Sequence, residues 1–492
     1  MSLGRRTAKG GRHIRSPSLA PLALAPASPY RPPTREPSAH EERIVTSIRQ
    51  TALRLPAILA KRVDGASLAV WRILFGLIIT WEAGRYLTHD WIQRYWISPS
   101  FHFTYFGFGW VQPLPDALMY ALLVVIGTTG VMLAMGTWYR ATAILLFLAF
   151  SYQFLLDQSR YLNHFYAALL FAFIFIVIPA NAAFSLGRKR QRTADTVPIW
   201  TVWLVRFQVG VIYLFAGIAK LNDDWLSGSP WREWLRLRAD LPGVTALLSS
   251  GYDRIIFGVG GLAFDLLVVP ALLWHRTRLP AFIAVLAFHF INANLFQIGI
   301  FPWMMAAATL IFFPPDWPRR FVSRSSAPVV DATAVIPAPR RLNSWALSGL
   351  AVYATLQLLM PLRHWLYPGD VSWTEEGHRF AWRMKLRSKF GSATFIVTRD
   401  GVTEEVNPLI YLEPDQTVTM VGQPDMLLQF AHFLSRKFPE RDGSPSSVRV
   451  VALVSLNGRP AQSLVDSLIN LAAEPRSLAH ARWITQHPSP LP

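Results

Sequence analysis

Long apolar runs separated by short polar segments dominate the chain between residues 61 and 365. About nine of these runs have the length and composition of membrane helices, since roughly 20 apolar residues are needed to cross a bilayer. They lie near residues 67–84, 117–136, 141–157, 163–184, 199–219, 254–274, 279–296, 299–314 and 343–361. With 52% hydrophobic and 13% aromatic residues, the 492-residue chain is too apolar for the soluble class. The pattern predicts a mainly α-helical, polytopic membrane bundle.

The pattern changes after about residue 366, where apolar and polar positions alternate as they do in strands. The segments that carry this change are a hairpin at 395–406 with its turn at 399–401, an amphipathic helix at 426–438, and a strand at 448–456 that enters an Asn457-Gly458 turn. We therefore divide the chain into a disordered basic arm (1–60), a membrane domain (61–365) and a small extracytoplasmic α+β domain (366–492).

The net charge of +18 follows the membrane topology and does not indicate a nucleic-acid partner. Basic clusters occur at 5–15, 138–140, 188–192, 275–278 and 319–341. All of them fall on the cytoplasmic side when the N-terminus is inside, as the positive-inside rule requires. The segments 85–116, 157–163, 220–253 and the C-terminal domain then lie outside. We expect a multi-pass protein of the cell membrane whose chemistry lies on the extracytoplasmic face.

Several classes of site are excluded by the sequence. The chain has no cysteine, so disulfides, thiol nucleophiles and thiolate metal sites are absent. The histidines lack ligand spacings such as H-E-x-x-H, and we expect no metal. Glycine-rich phosphate loops, nucleophile elbows and dinucleotide fingerprints are also missing, so we do not expect phosphoryl transfer or serine hydrolysis.

Two loops predicted to lie outside are rich in aromatic residues. The first carries Trp91, Tyr95, Trp96, Phe101, Phe103, Tyr105, Phe106, Phe108 and Trp110, and the second carries Trp225, Trp231 and Trp234. One interpretation is an interfacial aromatic belt. The other is a lid or access route for a lipid-soluble aromatic substrate, because apolar concave sites with few polar groups bind such ligands.

Polar side chains interrupt three predicted spans at a similar depth, near the outer leaflet. They are Lys220 and Tyr213 on the fifth span, Asn163 and His164 on the fourth, and His289 and Asn292 on the seventh. Burial disfavours the charged form of a lysine, so a neutral amine at Lys220 is a candidate base. Each residue also has a structural interpretation: a snorkelling lysine, a helix cap, a satisfied core histidine. Together they favour function, since ionisable groups inside a membrane are costly.

Other polar groups in the spans have a structural interpretation. On the fifth span Arg206 precedes Tyr213 and Lys220 at a spacing of seven residues, which places all three on one helix face. For Arg72, Glu82 and Asp265 we expect buried ion pairs between helices.

At these residues the chain resembles the vitamin K-dependent gamma-carboxylase family and its bacterial relatives with an HTTM domain. The similar stretches are collinear and lie at 66–76, 103–115, 161–166, 213–225, 289–299, 315–319 and 373–385. The resemblance implies that Lys220 deprotonates reduced vitamin K, of menaquinol or phylloquinol type. After O2 adds, a strongly basic oxygenated species removes a glutamate γ-proton, and the glutamate captures CO2. The resemblance also implies that His164 assists at this centre.

The chain departs from the animal members of that family at several positions. Their two adjacent lysines are replaced by Ala219-Lys220, which keeps the base. Their Tyr-Ser-Trp segment, implicated in holding glutamate, is Phe380-Ala-Trp382 here, so a phenolic hydroxyl is lost. The disulfide that joins their luminal and membrane parts is absent, and their C-terminal portion is longer.

The sequence thus predicts a gamma-glutamyl carboxylase-like enzyme of the lyase class with Lys220 and His164 as catalytic residues. The expected quinol- and substrate-binding residues are Asn163, Tyr213, His289, Asn292, Phe380 and Trp382. The expected partners are a lipid-soluble quinol and a glutamate-containing protein or peptide. Two alternatives stay open: a quinol epoxidase uncoupled from carboxylation, favoured by Phe380, and a non-catalytic membrane binding protein on the same scaffold.

Overall fold

The computed structural model of the chain describes residues 55–186, 195–296, 298–322 and 342–487. Residues 1–54 of the predicted arm, the basic cluster at 188–192 and the linker at 323–341 lie outside the described residues. The fold is mainly helical, with a small antiparallel sheet near the C-terminus.

Helices account for the apolar runs, and strands follow them. The helices, labelled α1 to α16 in chain order, are Ala66–Thr88, Asp116–Met135, Tyr139–Leu155, Asn163–Val177, Ile199–Ala219, Asp223–Ser227, Ser229–Arg236, Val244–Ser250, Gly260–Leu273, Arg278–Phe296, Phe301–Thr309, Arg319–Val322, Ser344–Leu359, Val371–Thr374, Pro414–Val421 and Pro424–Lys437. The strands, labelled β1 to β6, are Arg62–Asp64, Thr196–Pro198, Lys389–Arg399, Val402–Val406, Ser447–Leu456 and Gln462–Ser463. A π-helical turn, Arg254–Val259, leads directly into α9.

Each predicted membrane run coincides with a helical segment. Within the described part, six segments are long and apolar enough to cross a membrane: Ala66–Thr88, Asp116–Met135, Ile199–Ala219, Arg254–Leu273, Arg278–Phe296 and Ser344–Leu366. Three further apolar segments are shorter, namely Tyr139–Leu155, Asn163–Val177 and Phe301–Phe312. The helical membrane fold is therefore confirmed, whereas nine complete crossings stay a prediction.

Helices α1 and α2 approach each other through glycine. A Cβ atom at Gly76 would lie 2.5 Å from the backbone oxygen of Gly130, so a larger residue would push the two helices apart. The Thr80 hydroxyl donates to the carbonyls of Gly76 and Gly127 at 2.9 and 3.1 Å. Small residues that allow close backbone approach are a usual feature of helix pairs in membranes.

The expected interhelical ion pairs are found in one case of three. Asp265 on α9 pairs with Lys220, which follows α5. The prediction is wrong for Glu82, which pairs with Arg85 on its own helix at 2.7 Å. It is also wrong for Arg72, whose guanidinium donates to the carbonyls of Leu133 at 3.2 Å and Phe184 at 2.7 Å. Carbonyl groups near a helix end have no intrahelical partner and can satisfy a buried guanidinium.

The C-terminal domain has the predicted α+β fold. Strands β3 and β4 form the hairpin, and the sheet order is β4-β3-β5-β6 with antiparallel pairing. Phe395 pairs with Val406 on one side and with Val450 on the other. All three side chains are buried, and α16 buries its apolar face in the same core.

Polar contacts join the C-terminal domain to the loops at one end of the membrane helices. Gln416 donates to Asp157 at 2.7 Å, and Gln158 donates to Asp425 at 2.6 Å. Arg459 binds Asp224, just beyond Lys220, at 2.6 Å.

A second group of loops, before α1, before α5 and after α11, is also joined. Strand β1 pairs with β2, and Arg319 contacts Asp64 at 2.6 Å and Asp195 at 3.1 Å. The loops are thus grouped as the charge pattern predicts, and the side of the membrane that each group faces stays a prediction.

Candidate functional site

A cavity of about 1110 Å³ lies where the membrane helices meet the C-terminal domain. Helices α1, α4, α5, α9 and α10 contribute to its walls, together with the segment 378–387 of the C-terminal domain. Six of the eight residues expected at the site line this cavity: Lys220, His164, Asn163, Tyr213, His289 and Asn292. Three separate spans thus contribute to one chamber.

Lys220 is the residue at which α5 ends. Its backbone N–H donates to Gly217 at 2.9 Å, and its side chain is 8% exposed. Its side-chain nitrogen donates a hydrogen bond to Asp265 and lies 5.0 Å from the ring centroid of Trp225. The lysine is therefore buried and paired, and it does not snorkel to the surface.

Tyr213 and His289 form a second buried polar pair in the cavity wall. The tyrosine hydroxyl and Nε2 of the histidine share a hydrogen bond of 2.7 Å. Nδ1 of His289 is buried and has no hydrogen-bond partner in the described part of the chain. A buried polar atom without a partner is costly. Arg206, on the same face of α5, instead donates to the carbonyl of Ile311 at 2.9 Å.

Asn163 and His164 occupy the first turn of α4. The amide oxygen of Asn163 accepts a hydrogen bond from the Tyr161 hydroxyl at 3.0 Å, and its amide nitrogen donates to the Arg383 carbonyl at 3.4 Å. His164 is buried against Gly299, where an added Cβ would lie 3.3 Å from its Nε2. The asparagine therefore connects the membrane wall of the cavity to the C-terminal domain.

Phe380 and Trp382 are not among the residues that line the cavity. The Phe380 ring packs between Tyr161 and Tyr166, with centroid distances of 5.2 and 4.9 Å, and its N–H donates to the Tyr161 hydroxyl at 2.7 Å. Trp382 is fully buried and stacks on Tyr166 at 4.8 Å. Both have positive φ values, 62° and 57°, an unfavourable conformation for residues other than glycine.

The wall that the C-terminal domain contributes is cationic. Arg379, Arg383, Lys385 and Arg387 all line the cavity. Arg383 is buried, donates to Ser372 at 3.3 Å, and its Nε has no partner among the described residues. Burial lowers the pKa of Lys385, whose ammonium group lies 5.3 Å from the ring centroid of Trp234. Four cationic side chains therefore line one wall of the cavity.

A buried carboxylate holds part of this wall in place. Glu375 accepts hydrogen bonds from Arg387 and lies 3.0 Å from the ammonium nitrogen of Lys389. Burial alone would raise the pKa of Glu375, but these two cations hold it well below its usual range. Burial and the neighbouring Arg387 keep the pKa of His378, another lining residue, far below its usual value. Glu375 is thus a fixed negative charge beneath the cationic wall.

The cavity combines two chemical surfaces. Apolar side chains such as Ile212, Phe264 and Phe288 line the cavity together with the Lys220–Asp265 and Tyr213–His289 pairs and the cationic wall. The apolar part suits an aromatic ring. Among the described residues, no group of three or more His, Asp or Glu side chains could hold a metal ion.

Sequence reasoning missed the cationic wall and the partner of Lys220. The available signal was the run Arg379, Arg383, Lys385 and Arg387, in which basic residues recur at short intervals in one loop.

The aromatic loops divide between the two interpretations, an interfacial belt and a lid or access route. Trp91, Tyr95, Trp225, Trp231 and Trp234 line the cavity, whereas Phe106, Phe108 and Trp110 are exposed and Phe103 joins the core of the C-terminal domain.

Two family models match the sequence. The HTTM domain matches residues 60–317, which includes α1 to α11. The model described as vitamin K-dependent gamma-carboxylase, lumenal domain, matches residues 342–489. No solved structure matches the chain.

Proposed function

We propose that this chain couples oxygenation of a reduced naphthoquinone to carboxylation of glutamate. The premise is that the chain belongs to the HTTM family and is a relative of the vitamin K-dependent gamma-carboxylases. The two matched domains support a carboxylase-like function in general. The finer proposal is carried by one observation: Lys220, His164 and the Tyr213–His289 pair line a single cavity that also has a cationic wall.

The residues present fit a quinol. The cavity, at about 1110 Å³, is large enough for a fused aromatic ring with part of an isoprenoid tail. Its apolar walls suit the ring, and the polar side chains of His164 and Asn292 line the same cavity and can form hydrogen bonds with a ligand oxygen. Reduced vitamin K, when bound with O2, supplies the oxidation that makes glutamate deprotonation possible.

Lys220 acts as the proton acceptor for a quinol hydroxyl in this proposal. Its side chain is buried, so water is kept away from the nitrogen that would take the proton. His164 lies on the wall contributed by α4 and donates or accepts a hydrogen bond at the same centre. Exclusion of water also protects a carbanion at the glutamate from being protonated before it meets CO2.

The cationic wall holds the carboxylates of the acceptor peptide. Arg383 and Arg379 present guanidinium groups, which bind carboxylates in a planar, two-point geometry. Because this wall belongs to the C-terminal domain, the peptide enters from that side, and the quinol enters from the membrane. Two substrates of opposite polarity thereby meet in one chamber.

The test uses purified protein in lipid nanodiscs with reduced vitamin K, O2, labelled bicarbonate and a glutamate-rich peptide. We expect quinone epoxide and peptide-bound label, measured separately. His164→Ala should lower both products, whereas the matched variant His432→Ala, in the C-terminal domain away from the cavity, should not. Failure of the wild-type protein to oxidise any reduced naphthoquinone would refute the proposal.

A second candidate function, quinol epoxidation without carboxylation, is favoured by Phe380. The lost hydroxyl leaves an apolar ring packed among Tyr105, Tyr161 and Tyr166, behind the cavity wall. If glutamate positioning depends on that hydroxyl, the wild-type protein makes epoxide but fixes little CO2, and Phe380→Tyr raises the ratio of fixed label to epoxide. Near-equal amounts of the two products in the wild-type protein would rule out this candidate.

A further inference from the structure

Asp265 is an acidic residue in the middle of an apolar helix. Its helix, α9, has no other charged residue, and its side chain is 4% exposed. A buried carboxylate in a membrane helix is costly unless it is paired with an opposite charge. Ionisable residues inside membrane helices are usually functional. Its partner is Lys220, the expected base, and both residues line the cavity.

The chain brings this pair together through a close approach of α5 and α9. A Cβ atom at Gly217, three residues before Lys220, would lie 3.3 Å from Cβ of Asp265 and 2.5 Å from Cδ2 of Leu266. Glycine at this position therefore lets α9 come near enough for the carboxylate to reach the amine. Trp225 lies with its ring centroid 5.0 Å from the Lys220 side-chain nitrogen and donates its own indole N–H to the Gly258 carbonyl at 3.0 Å.

Other charged or titratable groups of the cavity do not replace Asp265. They are Glu82, Arg85 and Tyr86 on α1, Tyr95 after it, Arg160 and Tyr161 in the loop before α4, His164 on α4, Tyr213 on α5, His289 on α10, and His378, Arg379, Arg383, Lys385 and Arg387 in the C-terminal domain. Within the described part of the chain, the carboxylate within 4.0 Å of the Lys220 nitrogen is that of Asp265. Glu82 is committed to Arg85.

We propose that Asp265 is the positioning residue of the base, an inference that rests on the proposed function. A neutral Lys220 amine donates one N–H to the carboxylate, which directs the nitrogen lone pair into the cavity. When a quinol O–H bond breaks, its proton forms a new N–H bond on the lysine, and the electron pair stays on the quinol oxygen. The Asp265 carboxylate then stabilises the resulting ammonium ion, and it is not consumed.

The kinetic test compares Asp265→Asn and Asp265→Glu with the wild-type protein. A misplaced base costs on the order of a hundredfold in rate, so we expect Asp265→Asn to lower kcat about a hundredfold with little change in KM for the quinol. Asp265→Glu, which keeps the carboxylate, should recover part of kcat. The matched control is Asp253→Asn, which breaks a partly buried pair with Arg232 that does not line the cavity. Wild-type kcat in Asp265→Asn would overturn the proposal.

A second measurement is independent of quinol turnover. We expect Lys220 in the Asp265→Asn variant to be acylated several-fold faster than in the wild-type protein at the same pH, as followed by peptide mass spectrometry, because the amine is released from its partner. An unchanged or slower rate would overturn the proposal even if the enzyme assay fails. If the wild-type protein oxidises no quinol but Lys220 is acylated faster in Asp265→Asn, the proposed function is refuted, whereas the positioning of the Lys220 nitrogen by Asp265 stands.

Discussion

At the scale of single residues, Gly299 determines where the His164 ring can lie. Gly299 has a φ of +57°, and an added Cβ would lie 3.3 Å from Nε2 of the histidine. We expect Gly299→Ala to displace the ring and lower quinol turnover about tenfold or more, given the sensitivity of catalysis to small displacements. The control is Gly243→Ala, which has a similar positive φ, +82°, but no atom within 4 Å. Equal activities for the two variants would show that contact with His164 is unimportant.

Glu375 makes stability depend on pH through its buried cationic partners. The pKa of Glu375 is lowered in the folded protein. The carboxylate therefore stabilises the fold at pH values above its ordinary pKa of 4.5, and this contribution is lost progressively as the pH falls below 4.5. Removing one partner of a buried pair costs about 3–5 kcal/mol. We therefore expect Glu375→Gln to lower the melting temperature strongly at pH 7 and less at pH 4. The exposed Glu405→Gln on β4 is the control. A difference that grows on acidification would contradict this assignment.

At the scale of elements, the seven-residue spacing on α5 predicted a polar face but could not predict its partners. Lys220 and Tyr213 do line one cavity, as expected of residues on the same face, whereas Arg206 binds carbonyls of the 3-10 turn Leu310–Phe312 that follows α11. A helical period fixes which residues share a face. It does not fix which neighbouring helix covers each part of that face, because this depends on packing between distant segments.

The packing of α5 against α9 gives a direct test at this scale. Gly217→Ala would place its Cβ 2.5 Å from Leu266, whereas Gly210→Ala, on the same helix, would meet Val269 at an ordinary 3.7 Å. We expect Gly217→Ala to lower kcat for quinol oxidation severalfold, because Asp265 must move relative to Lys220, and Gly210→Ala to leave it unchanged. Identical kcat values would show that the close approach of the helices does not control the site.

At the scale of the whole molecule, the sequence was sufficient for the fold class and for the residues that come from the membrane spans. Apolar runs and strand alternation are local signals, and both the helices and the hairpin at 389–406 follow them. The cationic wall was not predictable in the same way. Arg383 and Lys385 reach the cavity only because a loop of the C-terminal domain closes over the helices, a long-range contact without a local pattern.

The orientation of the molecule in the membrane is a prediction from its charge distribution. Basic clusters that alternate with the spans place Arg190 in the cytoplasm and residue 400 outside. The chain has no cysteine, so a single cysteine introduced at either position can be labelled without background. We expect a membrane-impermeant reagent to label position 400 in intact cells and position 190 only after permeabilisation. The reverse pattern would place the cavity at the cytoplasmic face.

The central claim is that Lys220 is the base for quinol oxidation, and one variant tests it most directly. We expect Lys220→Ala to abolish epoxide formation from reduced vitamin K, and a small primary amine added to the assay to restore part of it. Lys437→Ala, at the end of α16, serves as the control for loss of a lysine elsewhere. Undiminished epoxide formation by Lys220→Ala would contradict the account.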